Sequence, residues 1–316
     1  MQQILSRLKP YLRWIVLGGT LFFLITTFKN NWQEVAAIRI AILGWITLAI
    51  ALGVTLLAHV WSGWVWTWIL EEFNQIVNVP QFVRVYLQTN IAKYLPGNVW
   101  HYYGRISAAK TAGIPTSVAA LSVLLEPLLM AAAAILLSLL GIQSAIAQTQ
   151  SYIQLLLVFI LAGVLLAIHP RLLNLAIRFL SRMKFSSTRS TASANNPALC
   201  QIKRYPWRLL LGELGFIGLR GTGFLLTVLA LIPLSVEHIP LLFVAFSLAW
   251  VLGLIIPGAP GGLGVFEVTA LALLQNSFST GVVISAIAFY RCISIIAEAT
   301  GAGLAWLNEK CRITDR

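Results

Sequence analysis

Two long apolar stretches of this chain are each cut in the middle by proline and glycine. The first, about 80–110, breaks at Pro96-Gly97-Asn98. The second, 241–276, breaks at Pro257-Gly258-Ala259-Pro260-Gly261-Gly262. Proline removes a backbone donor and clashes with the preceding turn, and glycine weakens a helix, so neither stretch continues as one helix. Each half is about a dozen residues, or roughly 18 Å of helix at 1.5 Å per residue. A hydrocarbon core is about 30 Å thick, so one half does not cross it. The simplest reading is a re-entrant hairpin, with one half-helix in, a turn at mid-depth and one half-helix out. The rival reading is a sharp loop between two crossings.

The membrane setting follows from composition. The chain is 59% hydrophobic and 10% charged, with a mean hydropathy of +0.84. Those values belong to a polytopic membrane protein. The net charge of +12 does not point to nucleic acid, because the basic residues gather at segment ends and in one long loop, as membrane orientation requires. Six full crossings are expected, at about 11–28, 41–69, 117–140, 152–168, 209–232 and 281–306. With the two broken segments this gives an all-α fold of six transmembrane helices and two re-entrant broken-helix hairpins. The N-terminal apolar run lacks a small-residue cleavage site and reads as a first span. Cys200, Cys292 and Cys311 have no metal-ligand spacing and suggest no disulfide. No metal site and no cofactor is expected.

Charge sets the orientation. The segment 169–208 holds eight Lys and Arg, from Arg171 to Arg208, and no acid, which places it in the cytoplasm. The 141–151 and 233–240 connections have no Lys or Arg and lie outside. Both termini are then cytoplasmic, in agreement with Arg7, Lys9 and Arg13, and with Lys310, Arg312 and Arg316. Lys29 and Arg39 run mildly against this scheme. The polar run Ser186–Asn196 cannot build a core and reads as a flexible linker. The chain is therefore read as a single integral membrane domain over 1–316. Its first half is 1–181, its cytoplasmic linker 182–206 and its second half 207–316.

The halves share a plan. The first runs His59, Pro80, the Pro96-Gly97 break, Arg105, Gly113 and Glu126. The second runs Arg220, Pro240, the 257–262 break, Glu267, Gly281 and Arg291. His59 to Pro80 is 21 positions and Arg220 to Pro240 is 20; Arg105 to Glu126 is 21 and Glu267 to Arg291 is 24. The order of charge is swapped and the expected orientations are opposite. Such an inverted-topology repeat places a site near the midplane, at the interface of its discontinuous helices.

Broken helices leave backbone groups unpaired, tolerated only against protein or a wet cavity. The N-termini of the outgoing halves, near Asn98 and near Leu263-Gly264, suit an anionic oxygen, phosphate above all. Asn98 is also a good N-cap. A charge at the bilayer centre costs about 2.5–3.5 kcal/mol on insertion scales, so buried charges usually have a use. Arg105, Glu126, Arg220, Glu267, Arg291, Asn98 and His101 are the candidate substrate-binding residues. Arg105 meets Glu126 or Glu267, and Arg291 meets the other. Arg suits the role because its planar fork binds phosphate or carboxylate bidentately. Pro96, Gly97, Pro257, Gly258, Pro260, Gly261, Gly262 and Gly264 form the breaks. The plainer alternative is that the Arg/Glu pairs only cancel charge and fix helix register. His59 reads as a hydrogen-bonded helix contact. Lys93 and Lys110 read as orientation signals or lipid-phosphate contacts at the rim, and Trp61, Trp64, Trp66 and Trp68 as packing residues. His101, Tyr102 and Tyr103 line the cavity or sit at the interface.

Two blocks of this chain resemble the lysylphosphatidylglycerol synthase transmembrane (flippase-like) family. The first is Asn90, Lys93-Tyr94, Pro96-Gly97, Gly104-Arg105, Gly113-Ile114, Ala120 and Glu126. The second is Pro257, Pro260-Gly261-Gly262-Leu263-Gly264, Glu267 and Tyr290-Arg291. Where that family often has an Arg directly after the first-block glutamate, this chain has Pro127, so that Arg's role does not carry over. The resemblance implies a bacterial inner-membrane protein that moves lipid between leaflets. The chain ends at Arg316 without a soluble aminoacyltransferase domain, so it is not expected to be an enzyme. The expected function is a flippase or transporter for an anionic or zwitterionic lipid. Its partners are membrane lipids, and no nucleic acid. There is no phosphate-binding loop for ATP, so the driving force is a gradient, the membrane potential or product trapping. Two alternatives stand beside it. One is a secondary transporter for a small anion or proton-coupled solute. The other is an accessory subunit for a glycosyltransferase or other lipid-modifying enzyme.

Overall fold

The computed structural model describes residues 25–27, 29–94, 99–145, 151–172, 174–175, 205–256 and 262–314, and their regular structure is helical. After a short helix α1 (Trp32–Ala37) comes α2 (Ile42–Glu72). Helix α3 (Val79–Asn90) begins where Asn78 caps it, its side chain accepting from the Gln81 N–H at 3.2 Å, with Pro80 in the first turn. A 3₁₀ turn, Ile91–Tyr94, prolongs α3 toward the first break. Then come α4 (Trp100–Thr111), α5 (Thr116–Ala145) and α6 (Ser151–Ala167). The second half holds α7 (Trp207–Leu231), α8 (His238–Ile255), α9 (Val265–Leu274) and α10 (Thr280–Thr314).

Among the described residues five helices, α2, α5, α7, α8 and α10, are long and apolar enough to cross a membrane. The chain is a multi-pass membrane protein. The crossing read at 152–168 corresponds to α6, a 17-residue apolar helix shorter than those five. One expectation changes: the incoming arm of the second broken segment is not a dozen residues. Helix α8 has 18, about 27 Å at 1.5 Å per residue. Pro240 lies in its first turn, where proline is tolerated, and nothing breaks the run before Ile256. The first broken segment does have two short arms, α3 and α4, of 12 residues each. Most of the expected 11–28 span, the linker through residue 204, and Pro96, Gly97, Asn98, Pro257, Gly258, Pro260 and Gly261 lie outside the described residues.

Packing repeats between the halves. Helix α2 packs most extensively on α7. Exchange α2 with α7, α3 with α8, α4 with α9 and α5 with α10, and each substantial packing pair among these eight helices maps onto another. The pair α5·α8 maps onto α10·α3, α5·α7 onto α10·α2, and α4·α5 onto α9·α10. The pairs α3·α4 and α8·α9 correspond in the same way. In each broken segment a glycine brings the two arms together. A Cβ on Gly104 would lie 2.8 Å from Thr89 Cγ2, and one on Gly262 would lie 3.2 Å from Gly253 Cα.

Candidate functional site

Glu126 lies ten residues into α5, about 15 Å along it at 1.5 Å per residue. Arg105 approaches from α4, with its Nη1 2.6 Å from Glu126 Oε2 and both side chains 3% exposed. Tyr86 of α3 donates its hydroxyl to Glu126 Oε1 at 2.7 Å, and Ser62 of α2 lies 2.6 Å from the same hydroxyl. The Arg105 guanidinium stacks 3.6 Å from the centroid of the Tyr86 ring. Both carboxylate oxygens therefore have a donor, and the cation has an aromatic face as well as its counter-ion.

Glu267 and Arg291 form the second pair, Nε to Oε1 at 2.6 Å. Here both partners also hold the break. Glu267 lies in the first turn of α9, and its Oε2 accepts from the Gly264 N–H, where an acid satisfies a free donor and the helix dipole. Arg291 Nη2 donates to the Gly262 carbonyl at 3.1 Å. Gly264 has φ +88°, a left-handed conformation open to glycine at little cost. So the expected pairing resolves within each half: Arg105 with Glu126, and Glu267 with Arg291.

A third cluster joins the halves. Arg220 of α7 and His59 of α2 face each other, Nη1 to Nε2 at 3.3 Å. His59 Nε2 is also 3.3 Å from Glu298 Oε1. Asn90 Nδ2 is 3.4 Å from the other ring nitrogen. Lys93 Nζ meets Glu298 Oε1 at 2.6 Å, so the half-buried Lys93 is an ion-pair partner and not only an orientation signal or a lipid contact. Arg220 Nη1 further donates to Ser294 at 3.3 Å. Among the described residues no carboxylate lies within 4 Å of Arg220.

These groups surround a cavity of about 110 Å³. At about 30 Å³ per water in the liquid it holds a few waters or one phosphate group. Arg105, Glu126, Arg220 and His101, all expected at the site, line it together with Lys93 and His59. Tyr86, Asn90 and Tyr102 add polar groups, and Phe216, Trp250 and Leu254 supply an apolar wall. Three cations face it against the Glu126 carboxylate, with Glu298 behind Lys93. That excess favours an anion. Glu267 and Arg291 do not line it, and Asn98 lies outside the described residues. No group of three or more His, Cys, Asp or Glu suited to a metal ion occurs among the described residues.

Sequence reasoning passed over Tyr86, Asn90, Lys93 and Glu298 as site groups. It also passed over Glu213. This acid on α7 is fully buried, and among the described residues neither oxygen has a hydrogen-bond partner. A signal existed for it: Glu213 is a lone acid in an apolar run, two helical turns before Arg220 and so on the same face. Trp61 meets its expectation as a packing residue, donating to the Gly212 carbonyl at 2.8 Å. A family model described as "Lysylphosphatidylglycerol synthase TM region" matches residues 13–299, nearly the whole chain. No curated protein matches it.

Proposed function

Because the chain belongs to the lysylphosphatidylglycerol synthase transmembrane family, we propose that it is a flippase that carries an anionic or zwitterionic lipid headgroup across the bacterial inner membrane. The observation that carries this reading is the cavity with more guanidinium and ammonium than carboxylate facing it. Arg220, Arg105 and Lys93 take the phosphate. Glu126 neutralises Arg105 when the site is empty. The acyl tails stay in the bilayer beside the Trp250 and Leu254 wall. The exchange symmetry of the helix packing supports an inverted repeat, with both broken segments re-entrant and both termini cytoplasmic. The chain acts as a transporter and not as an enzyme. Its partners are membrane lipids and, where its cargo is made, a glycosyltransferase or another lipid-modifying enzyme. The small cavity volume favours one other reading, a transporter for a free anion of phosphate size.

Leaflet exchange of acyl-labelled phosphatidylglycerol in reconstituted vesicles tests the proposal. Wild type should exchange the label, and Arg105→Ala, inserted and folded, should not. Normal exchange by Arg105→Ala would remove the cavity from the mechanism.

A further inference from the structure

His59 stands between two groups that it cannot satisfy together. Its Nε2 lies 3.3 Å from Arg220 Nη1, a donor with no acceptor role, and 3.3 Å from Glu298 Oε1, an acceptor with no proton when ionised. A bare Nε2 accepts from Arg220 and turns its lone pair on Glu298. A protonated Nε2 donates to Glu298 and turns its N–H on Arg220. Glu298 has a second partner in Lys93 at 2.6 Å, and Arg220 has one in Ser294 at 3.3 Å. Either arrangement therefore leaves every charged group with at least one partner. Nδ1 faces the Asn90 amide at 3.4 Å, and rotating that amide by half a turn presents either its donor or its acceptor.

We propose that His59 is the binding site for a transported proton, and that its occupation controls Arg220. With Nδ1 protonated and Nε2 bare, the imidazole is neutral, accepts from Arg220 and holds the guanidinium at the wall. A proton adds to the Nε2 lone pair. The new N–H donates to Glu298, the imidazolium repels Arg220, and the guanidinium is freed to enter the cavity. Proton and anion then bind together, and the net charge moved is lower than that of the anion alone. The groups in contact with His59 are Arg220 from α7, Glu298 from α10 and Asn90 from α3; next to them stand Ser294 of α10, bonded to Arg220, and Lys93 of the 3₁₀ turn, bonded to Glu298. Two of the five are cations, and both hold a position from which they respond to the new charge. His59 is thus a coupling site and Arg220 the ligand. The inference rests on the transport reading, with a phosphate anion borne by a lipid or free as the cargo.

The test compares transport at symmetric pH 5.5 and pH 7.5 in vesicles holding the full chain. One arm follows acyl-labelled phosphatidylglycerol and the other follows radiolabelled inorganic phosphate. Wild type should be faster in acid, by up to about tenfold per pH unit as one coupled proton allows. In His59→Gln the ratio between the two pH values should fall to near one, whatever the absolute rate. Acid stimulation of the phosphate arm alone would keep the proton site and overturn the lipid cargo. An unchanged ratio in His59→Gln would overturn the proton site. A second readout needs neither cargo nor that variant. In ¹⁵N-imidazole NMR of wild type, with the other three histidines subtracted in His101→Asn, His169→Asn and His238→Asn, His59 should carry its proton on Nδ1 at pH 8. It should become doubly protonated on acidification. A proton on Nε2 at pH 8, or no second protonation, would overturn the proposal even where neither cargo moves.

Discussion

The two halves spend the same ion pair in different ways. In the first, Arg105 and Glu126 face a polar cavity and bind only side chains, Tyr86 among them. In the second, Glu267 and Arg291 also bind the backbone where α9 begins, at Gly264 and Gly262. The residues behind each pair account for the contrast. Tyr86 lies six positions after Pro80, and Phe246 six after Pro240, so one half has a hydroxyl to offer its carboxylate and the other has none. Gly63 and Gly104 stand where the second half has Phe224 and Phe266, counting from His59 and Arg220 and from Arg105 and Glu267. Phe224, Phe246, Phe266 and Tyr290 pack on one another with centroids 5.4–6.1 Å apart. Four rings fill one half, while in the other the two glycines let Tyr86 and Thr89 pack closely against the backbone. The shared plan thus sets its ion pair beside a cavity in one half and against the backbone in the other.

The comparison can be broken by substitution. Glu267→Ala leaves Arg291 without its counter-ion and Gly264 without its acceptor. It should cost about 3–5 kcal/mol, the scale for removing one partner of a buried pair, read as a large fall in thermal stability in detergent. Replacing both partners sharpens the contrast. Arg105→Met with Glu126→Met should hold stability within about 1–2 kcal/mol of wild type, because a buried pair exchanged for apolar side chains is often neutral, yet transport should vanish. The matching double substitution of Glu267 and Arg291 should be clearly less stable, since two backbone groups lose their partners. Equal stability of the two doubles would erase the distinction drawn here. Tyr86→Phe imitates the second half and removes one hydrogen bond to a charged group, a loss of about 1.5–3 kcal/mol. Glu213→Leu should raise stability by about 1–2 kcal/mol, because a buried acid without partners is removed. A fall would mean that Glu213 has a use beyond the contacts described.

Much of this was legible in the sequence. The apolar runs and their Pro-Gly interruptions placed most helices, because periodicity and helix breakers are local properties. The repeat singled out Arg105, Glu126, Glu267 and Arg291 but left open which glutamate Arg105 meets; the helix packing decides it. The length of α8 was misjudged because the position of the break was taken as the middle of its apolar stretch, whereas the helix runs 18 residues before it. Lys93 looked like a rim residue because its partner is 205 positions away, and no local pattern announces such a pair. The division of labour between the pairs was hidden for a similar reason. It depends on which side chains stand behind each pair, at Gly63 and Phe224 or Tyr86 and Phe246, and those neighbours come from different helices.

The central claim is that the cavity between the halves holds the anionic headgroup through Arg220, whose guanidinium has no carboxylate of its own among the described residues. Native mass spectrometry of the purified protein tests this directly. Wild type should retain an anionic phospholipid that Arg220→Ala loses, with both proteins equally folded. Retention of the same lipid by Arg220→Ala at the same occupancy would contradict it.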